Sequence, residues 1–595
     1  MFKSFNIFTA MLLSIGLLGA AIARSDQYGM SLKTELATAA NGAVTTVPQA
    51  NVDKDWDVAE KKVTEVVEGV YRIGGWGIGN VIAIEGPEGW LIIDTGDDAG
   101  AAADMRAALE EKVGRKIQVA GIAYTHTHYV WGASAWMDEG TELYAHEDML
   151  PNLLADNGIS ALSGNFSARM VVQFGMLHPT EGPDAFPSKL GFSADKLTGE
   201  KGFVPPTVTF KDGEIETHQI AGLTVEVLPS PTDVLDSVAY YFPAKKLLVS
   251  NAMNGALDDG ANVSLFNIYT LRGDIYRDPM RLVAAADLAL SRDPEVMVDI
   301  HGPARVGKEN VRAAIEWWRD SMQLIYDQTY RGIGMGKDAQ EIAEWIYLPE
   351  DVRAGNETYG QVESHARQVY NARVGWMGWD PYDINPLPKA EQAARVVEAM
   401  GGIEAVTAQA RAAVDKGDIA SSQWALYLTT QLQDMGALQG DSRQARADAS
   451  RTLGQHTTSA NARGFYISEA LLHEGKVAFG GQAITDYREL NAVFGAVTAD
   501  KLAASPLNDN VQYLRFMVDS RLAEGKRAEF NVNFNDEGVS YAIALRNGVI
   551  AITGQSNDGK TFEMSKADWD DLILGTRSFA SLDASLEAFD AAIDR

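Results

Sequence analysis

Two histidines, His126 and His128, stand one residue apart at the end of the apolar run Val119–Tyr124. The run reads as a buried strand, and residues i and i+2 of an extended segment face one side. Two imidazoles placed in this way can chelate one divalent ion, with further nitrogen or oxygen ligands completing the site. The chain contains no cysteine, which excludes disulfides, thiolate ligands and cysteine nucleophiles; any metal must be held by His, Asp or Glu. About thirty residues upstream, the apolar run Trp90-Leu91-Ile92-Ile93 ends in Asp94-Thr95-Gly96, a second strand end that carries a carboxylate. His146, His178, His218, His456 and His473 have no companion motif and read as ordinary surface or core residues.

Three kinds of pattern position these residues. From about 65 to 315 strand-like and helix-like stretches alternate, with continuous apolar strands such as Asn80–Ile84, Leu223–Leu228, Val238–Phe242 and Lys246–Val249. Strands of that kind are buried on both faces, so this part is α/β. From about 310 to 480 the strand signal is lost. Val311, Ile315, Trp318, Met322 and Ile325 recur at helical spacing, and Ala-rich helices continue through Leu472. From about 485 a stripe of Val511, Leu514, Val518 and Leu522 predicts one helix; alternating Phe530, Val532 and Phe534 and a hairpin turn at Asn547-Gly548 predict a small α+β domain.

The composition restricts partners. Of 595 residues, 51 are Lys or Arg and 81 are Asp or Glu, a formal charge of -30. That argues against nucleic acid or an anionic membrane as the main partner. It also requires that an anionic substrate find a locally positive pocket. The chain opens with Lys3, an apolar run from Ile7 to Ala20 and the small-residue pattern Ala21-Ile22-Ala23, the layout of a cleaved signal peptide. The expectation is an exported, periplasmic protein, cut after about Ala23, with no integral membrane span left after cleavage.

The pairing of Asp94 with the His cluster resembles the layout of the metallo-β-lactamase fold. A longer ordered set of segments resembles the alkyl sulfatase family over nearly the whole mature chain. It comprises Gly164–Met170 followed by Phe174-Gly175, then Pro205-Pro206-Thr207, Asn267-Ile268-Tyr269-Thr270-Leu271-Arg272-Gly273 and His301-Gly302-Pro303. It ends with Tyr359-Gly360, His365, Tyr370 and Gly375-Trp376. The resemblance implies an αββα metallo-β-lactamase sandwich over 24–315 after a signal peptide at 1–23. An all-α dimerisation domain over 316–480 and a sterol-carrier-like α+β domain over 485–595 complete it. It also implies a homodimer.

The departures from the family pattern decide what the site can hold. The family cluster His-x-His-x-Asp-His ends here in Val130 and Trp131, neither of which can bind a metal. The family's metal-binding Glu corresponds to Asp233, whose shorter side chain needs a small backbone shift to reach. Ser250 replaces a bridging Glu, and Phe266 replaces a His expected to assist the leaving group. The resemblance therefore implies one zinc per chain, held by His126, His128 and Asp233 with water as fourth partner, and loss of the second site. His301 alone remains of that second site, as an acid or base or as a third ligand if Asp233 falls short. Arg272 is the expected anchor for a sulfate, because a guanidinium can grip two oxygens at once; its alternative is a surface pairing with Asp274 or Asp278. Asn267, Tyr269 and Thr270 are expected to add neutral donors. Tyr129 either reaches into the pocket or fills the volume left by the absent metal.

Three readings of function follow. The first is an exported, metal-dependent hydrolase that cleaves a small amphipathic alkyl sulfate to alcohol and sulfate. The second is a non-catalytic relative that binds amphipathic anions or lipids. The third is a metal-dependent hydrolase of another ester class.

Overall fold

Alternate residues of the strand Val238–Phe242 serve two different cores. Tyr240 and Phe242 face one, Ala239 and Tyr241 the other, and all are buried. This is the period-2 geometry of a strand covered on both sides. The computed structural model describes residues 32–33, 35–157, 159–192, 199–257, 267–273, 275–349, 352 and 357–594. The signal-like segment at 1–23, Phe266 and Asp274 lie outside them.

The chain divides into two units, one comprising residues up to Met149 together with Arg169–Thr485, the other Leu150–Ala168 together with Asp486–Arg595. In the first, seven strands form one sheet in sequence order: β1 (Lys62–Val67), β2 (Val70–Gly74), β3 (Val81–Gly86), β4 (Gly89–Ile93), β5 (Val119–Ala123), β6 (Glu142–His146) and β7 (Val208–Phe210). They are antiparallel up to β4 and parallel from β4 to β7. Six more form the second sheet: β8 (Glu216–Ile220), β9 (Leu223–Pro229), β10 (Val238–Phe242), β11 (Leu247–Ser250), β12 (Val296–Asp299) and β13 (Arg305–Val306).

The inner faces meet in one core. Ile82, Ile84, Leu91 and Ile93 from the first sheet pack with Val225, Val227, Tyr240 and Val249 from the second. The outer face of the second sheet, with Leu228, Leu248 and Met297, is covered by helices Pro279–Leu290 and Lys308–Gly334. The parallel step from β4 to β5 needs a crossover, which the helix Ala99–Val113 supplies. Asp98 caps its start by accepting from Ala101 N, and Gly114 ends it in the left-handed region at φ 70°. The unit is thus an αββα sandwich. Helices from Lys389–Ala399 to Ala460–His473 follow and pack largely through small residues, Ala410, Ala445 and Ala449 among them.

The second unit has a four-stranded sheet of β14 (Ala528–Phe534), β15 (Val539–Arg546), β16 (Val549–Thr553) and β17 (Lys560–Met564), in the order β16-β15-β14-β17. Asn547 and Gly548 both have positive φ (52° and 75°), as the two-residue hairpin requires. Here the structure corrects one expectation. The helical stripe from Val511 does not run to Leu522: the helix Leu507–Tyr513 passes into one 3-10 turn, Leu514–Phe516, and stops. Asp519 Oδ1 accepts from the backbone N–H of Arg521 and Leu522, and this side-chain competition for the backbone favours a turn over another helical turn.

Candidate metal centre

β5 ends at Ala123 and the chain leaves the sheet carrying Thr125, His126 and His128. Asp94, just past the end of β4, is held at a positive φ of 55° and buried. Its Oδ1 accepts from Thr125 N at 2.8 Å and its Oδ2 from Thr125 Oγ1 at 2.7 Å. Burial raises the Asp94 carboxyl to about 7 against these bonds. Asp94 therefore shapes the histidine loop and is not part of the ligand group.

The Thr125 hydroxyl, donating its one proton to Asp94, can only accept from His126 Nδ1 at 2.7 Å. That leaves the lone pair on His126 Nε2, a buried atom with no hydrogen-bond partner, 3.6 Å from Asp233 Oδ2. A buried acceptor without a partner costs about 1–3 kcal/mol, a cost a bound cation removes. His126 is neutral, because burial lowers its pKa to about 3.

Asp233 reaches the histidines. Its Oδ2 lies 3.0 Å from His128 Nδ1, and the ligand atoms of His126, His128 and Asp233 all fall within 4.8 Å of one another. Asn251 Nδ2 and Thr232 Oγ1 donate to Oδ1 (2.8 and 3.2 Å), which fixes the carboxylate plane. Burial works to raise this carboxyl; the facing imidazoles and the Arg277 guanidinium override it and hold it well below the usual range. Two imidazole nitrogens and one carboxylate oxygen, one of the nitrogens buried and unbonded, fit a divalent metal of the zinc type.

The adjoining position is built differently. Val130 is fully buried and its backbone bridges to Gly96. The Trp131 indole packs on Phe203 (centroids 6.0 Å) beneath Lys201 Nζ. Ser250 Oγ donates to Asp299 Oδ2 at 2.7 Å, and Asp299 also accepts from the backbone N–H of Ala252, Met253 and His301. His301 is half-buried and neutral, its pKa lowered to about 4 by desolvation; its Nδ1 has no partner, and it bonds to the Ile78 backbone. One imidazole without companions does not hold a metal, so the residues present do not fit a second ion.

The structure places Tyr129 among the imidazoles. It has a positive φ of 55°, and its ring lies edge-on to His126 (5.7 Å), His128 (6.3 Å) and His301 (5.6 Å). It fills the space among the three imidazoles, and burial pushes its phenol well above the usual range. Gly79 permits this, since a Cβ there would come within 2.7 Å of the ring.

Arg272 is buried, not at the surface, and Asp278 pairs with Arg373 instead. The Arg272 guanidinium lies 5.6 Å over the Phe174 ring and bonds to the Tyr359 hydroxyl. Its backbone N–H and the Thr270 hydroxyl both donate to Gln173 Oε1 (2.7 and 2.9 Å), so Thr270 is spent on holding the loop. Tyr269 N donates to His365 Nδ1 at 3.3 Å. Asn267 is buried with neither side-chain polar atom bonded. Arg277 ties this loop to the metal ligands: its Nε donates to the Asp233 carbonyl and its Nη1 to the Asn267 carbonyl.

Sequence reasoning missed Thr125, Gln173, Asn251, Arg277 and the role of Tyr359. Thr125 was within reach, because a hydroxyl beside a ligand histidine is an obvious orienting partner. Gln173 and Tyr359 carry no local signal for a contact with residues about a hundred positions away.

Known proteins resemble this chain in sequence and fold. Residues 74–280 match the profile of the metallo-beta-lactamase superfamily, 338–475 that of alkyl sulfatase dimerisation, and 495–589 that of the alkyl sulfatase C-terminal domain. A linear primary-alkylsulfatase of Pseudomonas sp. (strain ATCC 19151) is 30% identical over 479 residues, 78% of this chain and 87% of that one. An (R)-specific secondary-alkylsulfatase of Pseudomonas sp. is 28% identical over 506 residues, 82% of this chain and 72% of the relative. Among solved structures, a stereoselective inverting sec-alkylsulfatase from Pseudomonas sp. superposes with a TM-score of 0.72 at 22% identity, covering 97% of this chain and 96% of that one.

Proposed function

The chain belongs to the alkyl sulfatase family, and on that premise we propose that it hydrolyses alkyl sulfate esters to alcohol and sulfate, using one zinc ion per chain instead of two. The carrying observation is the convergence of His126, His128 and Asp233 ligand atoms within 4.8 Å around a buried, unbonded His126 Nε2. When bound, such a metal supplies Lewis-acid polarisation at an oxygen of the reacting group. The protein supplies the rest. Arg272, with Tyr359 on its guanidinium, grips two sulfate oxygens. Asn267 adds an amide from a loop fixed by Gln173 and Arg277. His301, neutral at ordinary pH, offers an unbonded Nδ1 that can take a proton. Tyr129 keeps water from the space between the imidazoles.

The test measures metal per chain after zinc loading and dialysis, together with sulfate release. About one metal and turnover that chelation abolishes are expected. Tight binding of an alkyl sulfate without turnover would replace this reading with the second one, a non-catalytic binder, which the metal-free design at Val130, Trp131 and Ser250 favours. Cleavage of uncharged esters alone would point to the third.

Export to the periplasm is part of the proposal and rests on the N-terminal signature; no helix among the described residues is long and apolar enough to cross a membrane. So is a homodimer. Within the stretch that matches the dimerisation profile, Trp376 and Trp379 are 71% and 74% exposed, an apolar surface a second copy would cover. Trp376→Ala with Trp379→Ala should yield a monomer in sedimentation; an unchanged dimer would move the interface elsewhere.

A further inference from the structure

The formal charge of -30 describes the chain as a whole and hides a surface of opposite sign in the second unit. Arg515, Arg521, Arg527 and Arg546 are all exposed, and none is in an ion pair with a carboxylate among the described residues. Among the described residues, Arg515 reaches only the neutral Gln512 side chain and the Phe516 ring. Among these cations stand three exposed apolar side chains, Phe516 (61%), Leu522 (46%) and Val549 (55%).

The topology groups them. Arg546 and Val549 are directly opposed across the β15–β16 ladder and so share a face. One position beyond the last pair of the β14–β15 ladder, Ala528 with Leu545, Arg527 stands opposite Arg546 on that same face. The core side chains Phe530, Leu545 and Ile550 are on the other. The turn that replaces the expected helix brings Ser520 against the hairpin, where a Cβ on Gly548 would lie 3.5 Å from Ser520 Cβ. Phe516 and Leu522 are therefore carried to the strand end that bears Val549. The one acid inside the turn, Asp519, is engaged with backbone N–H groups. Glu524, Glu529 and Asp594, whose backbone N–H donates to the Met517 carbonyl, are exposed nearby, a minority against the four arginines and Lys526.

We propose that this face is a peripheral docking surface for a lipid bilayer with anionic headgroups. The arginines would meet the phosphates, and Phe516, Leu522 and Val549 would enter the boundary between headgroups and acyl chains. Apolar side chains projecting from a turn and a strand end, ringed by unpaired cations, match an interface that is negative outside and apolar beneath. The surface uses none of the metal ligands, so this inference stands or falls independently of the hydrolase reading.

The test is co-sedimentation of the full purified chain with vesicles of phosphatidylcholine alone and with roughly one-third phosphatidylglycerol. Binding is expected only to the anionic vesicles, and it should weaken as salt rises. Arg521→Glu with Arg546→Glu should lower the bound fraction about tenfold or more, and Phe516→Ser severalfold, with unchanged unfolding temperature and unchanged hydrolysis of a short soluble sulfate ester. Equal binding to both vesicles, or none, would overturn the proposal. So would variants that bind as before, or variants that change the oligomeric state, since a second copy would then be the occupant.

Discussion

Two halves of one rim, built on the same strand ends, have met different demands. On one side His126, His128 and Asp233 converge, each with a partner that sets its orientation: Thr125 for His126, Asp233 itself for His128, Asn251 for Asp233. On the other, Val130 is sealed into the core, Trp131 packs edge-to-face on Phe203, and Ser250 is a donor to Asp299. The scaffold did not collapse where ligands were lost, because Asp299 still collects the backbone N–H groups that shape the His301 loop. The loops on both sides of the rim are thus held by bonds between protein groups, which do not depend on a metal.

The comparison can be broken most forcefully from the retained side. Asp233→Asn should remove the bound metal and lower sulfate release at least about a thousandfold; full metal content in the variant would mean the ligands are elsewhere. Arg272→Ala should lower kcat/KM for a sulfate ester roughly a hundredfold, as loss of a charged hydrogen bond worth about 1.5–3 kcal/mol predicts. An unchanged kcat/KM would remove Arg272 from the sulfate site. Thr125→Val leaves His126 without its orienting partner and should weaken metal affinity about 10- to 100-fold while the protein stays folded; competition with a metal-binding dye reads this directly.

The lost side should respond in stability, not in metal. Gly79→Ala drives a methyl into the Tyr129 ring and should destabilise the fold by about 1–3 kcal/mol, seen as a lowered unfolding temperature. Ser250→Ala removes one of the donors to Asp299, at a cost of about 1 kcal/mol, with metal content unchanged. A fall in metal content in either variant would mean that the two halves are coupled after all.

Much of this was legible in the chain. The apolar strands, the Asn547-Gly548 turn and the helical spacing of Val311 to Ile325 are local patterns, and the structure repeats them. His126 and His128 were legible for the same reason, since their spacing and the preceding strand place them together. The helix expected through Leu522 was not, because apolar spacing says nothing of the Asp519 carboxylate that claims the backbone N–H groups.

By itself the sequence determined which donors exist: no thiolate, two histidines on one strand end, no acid or imidazole at 130 or 131, and a guanidinium at 272. Only the tertiary structure decided how they are used. It brought Asp233 within 3.0 Å of His128 across 105 residues, buried Arg272 against Tyr359, and set Arg546 opposite Val549 on the solvent face of the small sheet. Those outcomes depend on which strand ends the sandwich and the small sheet bring side by side. Non-local pairing leaves no trace in spacing, because the energy that selects it comes from burying many side chains at once.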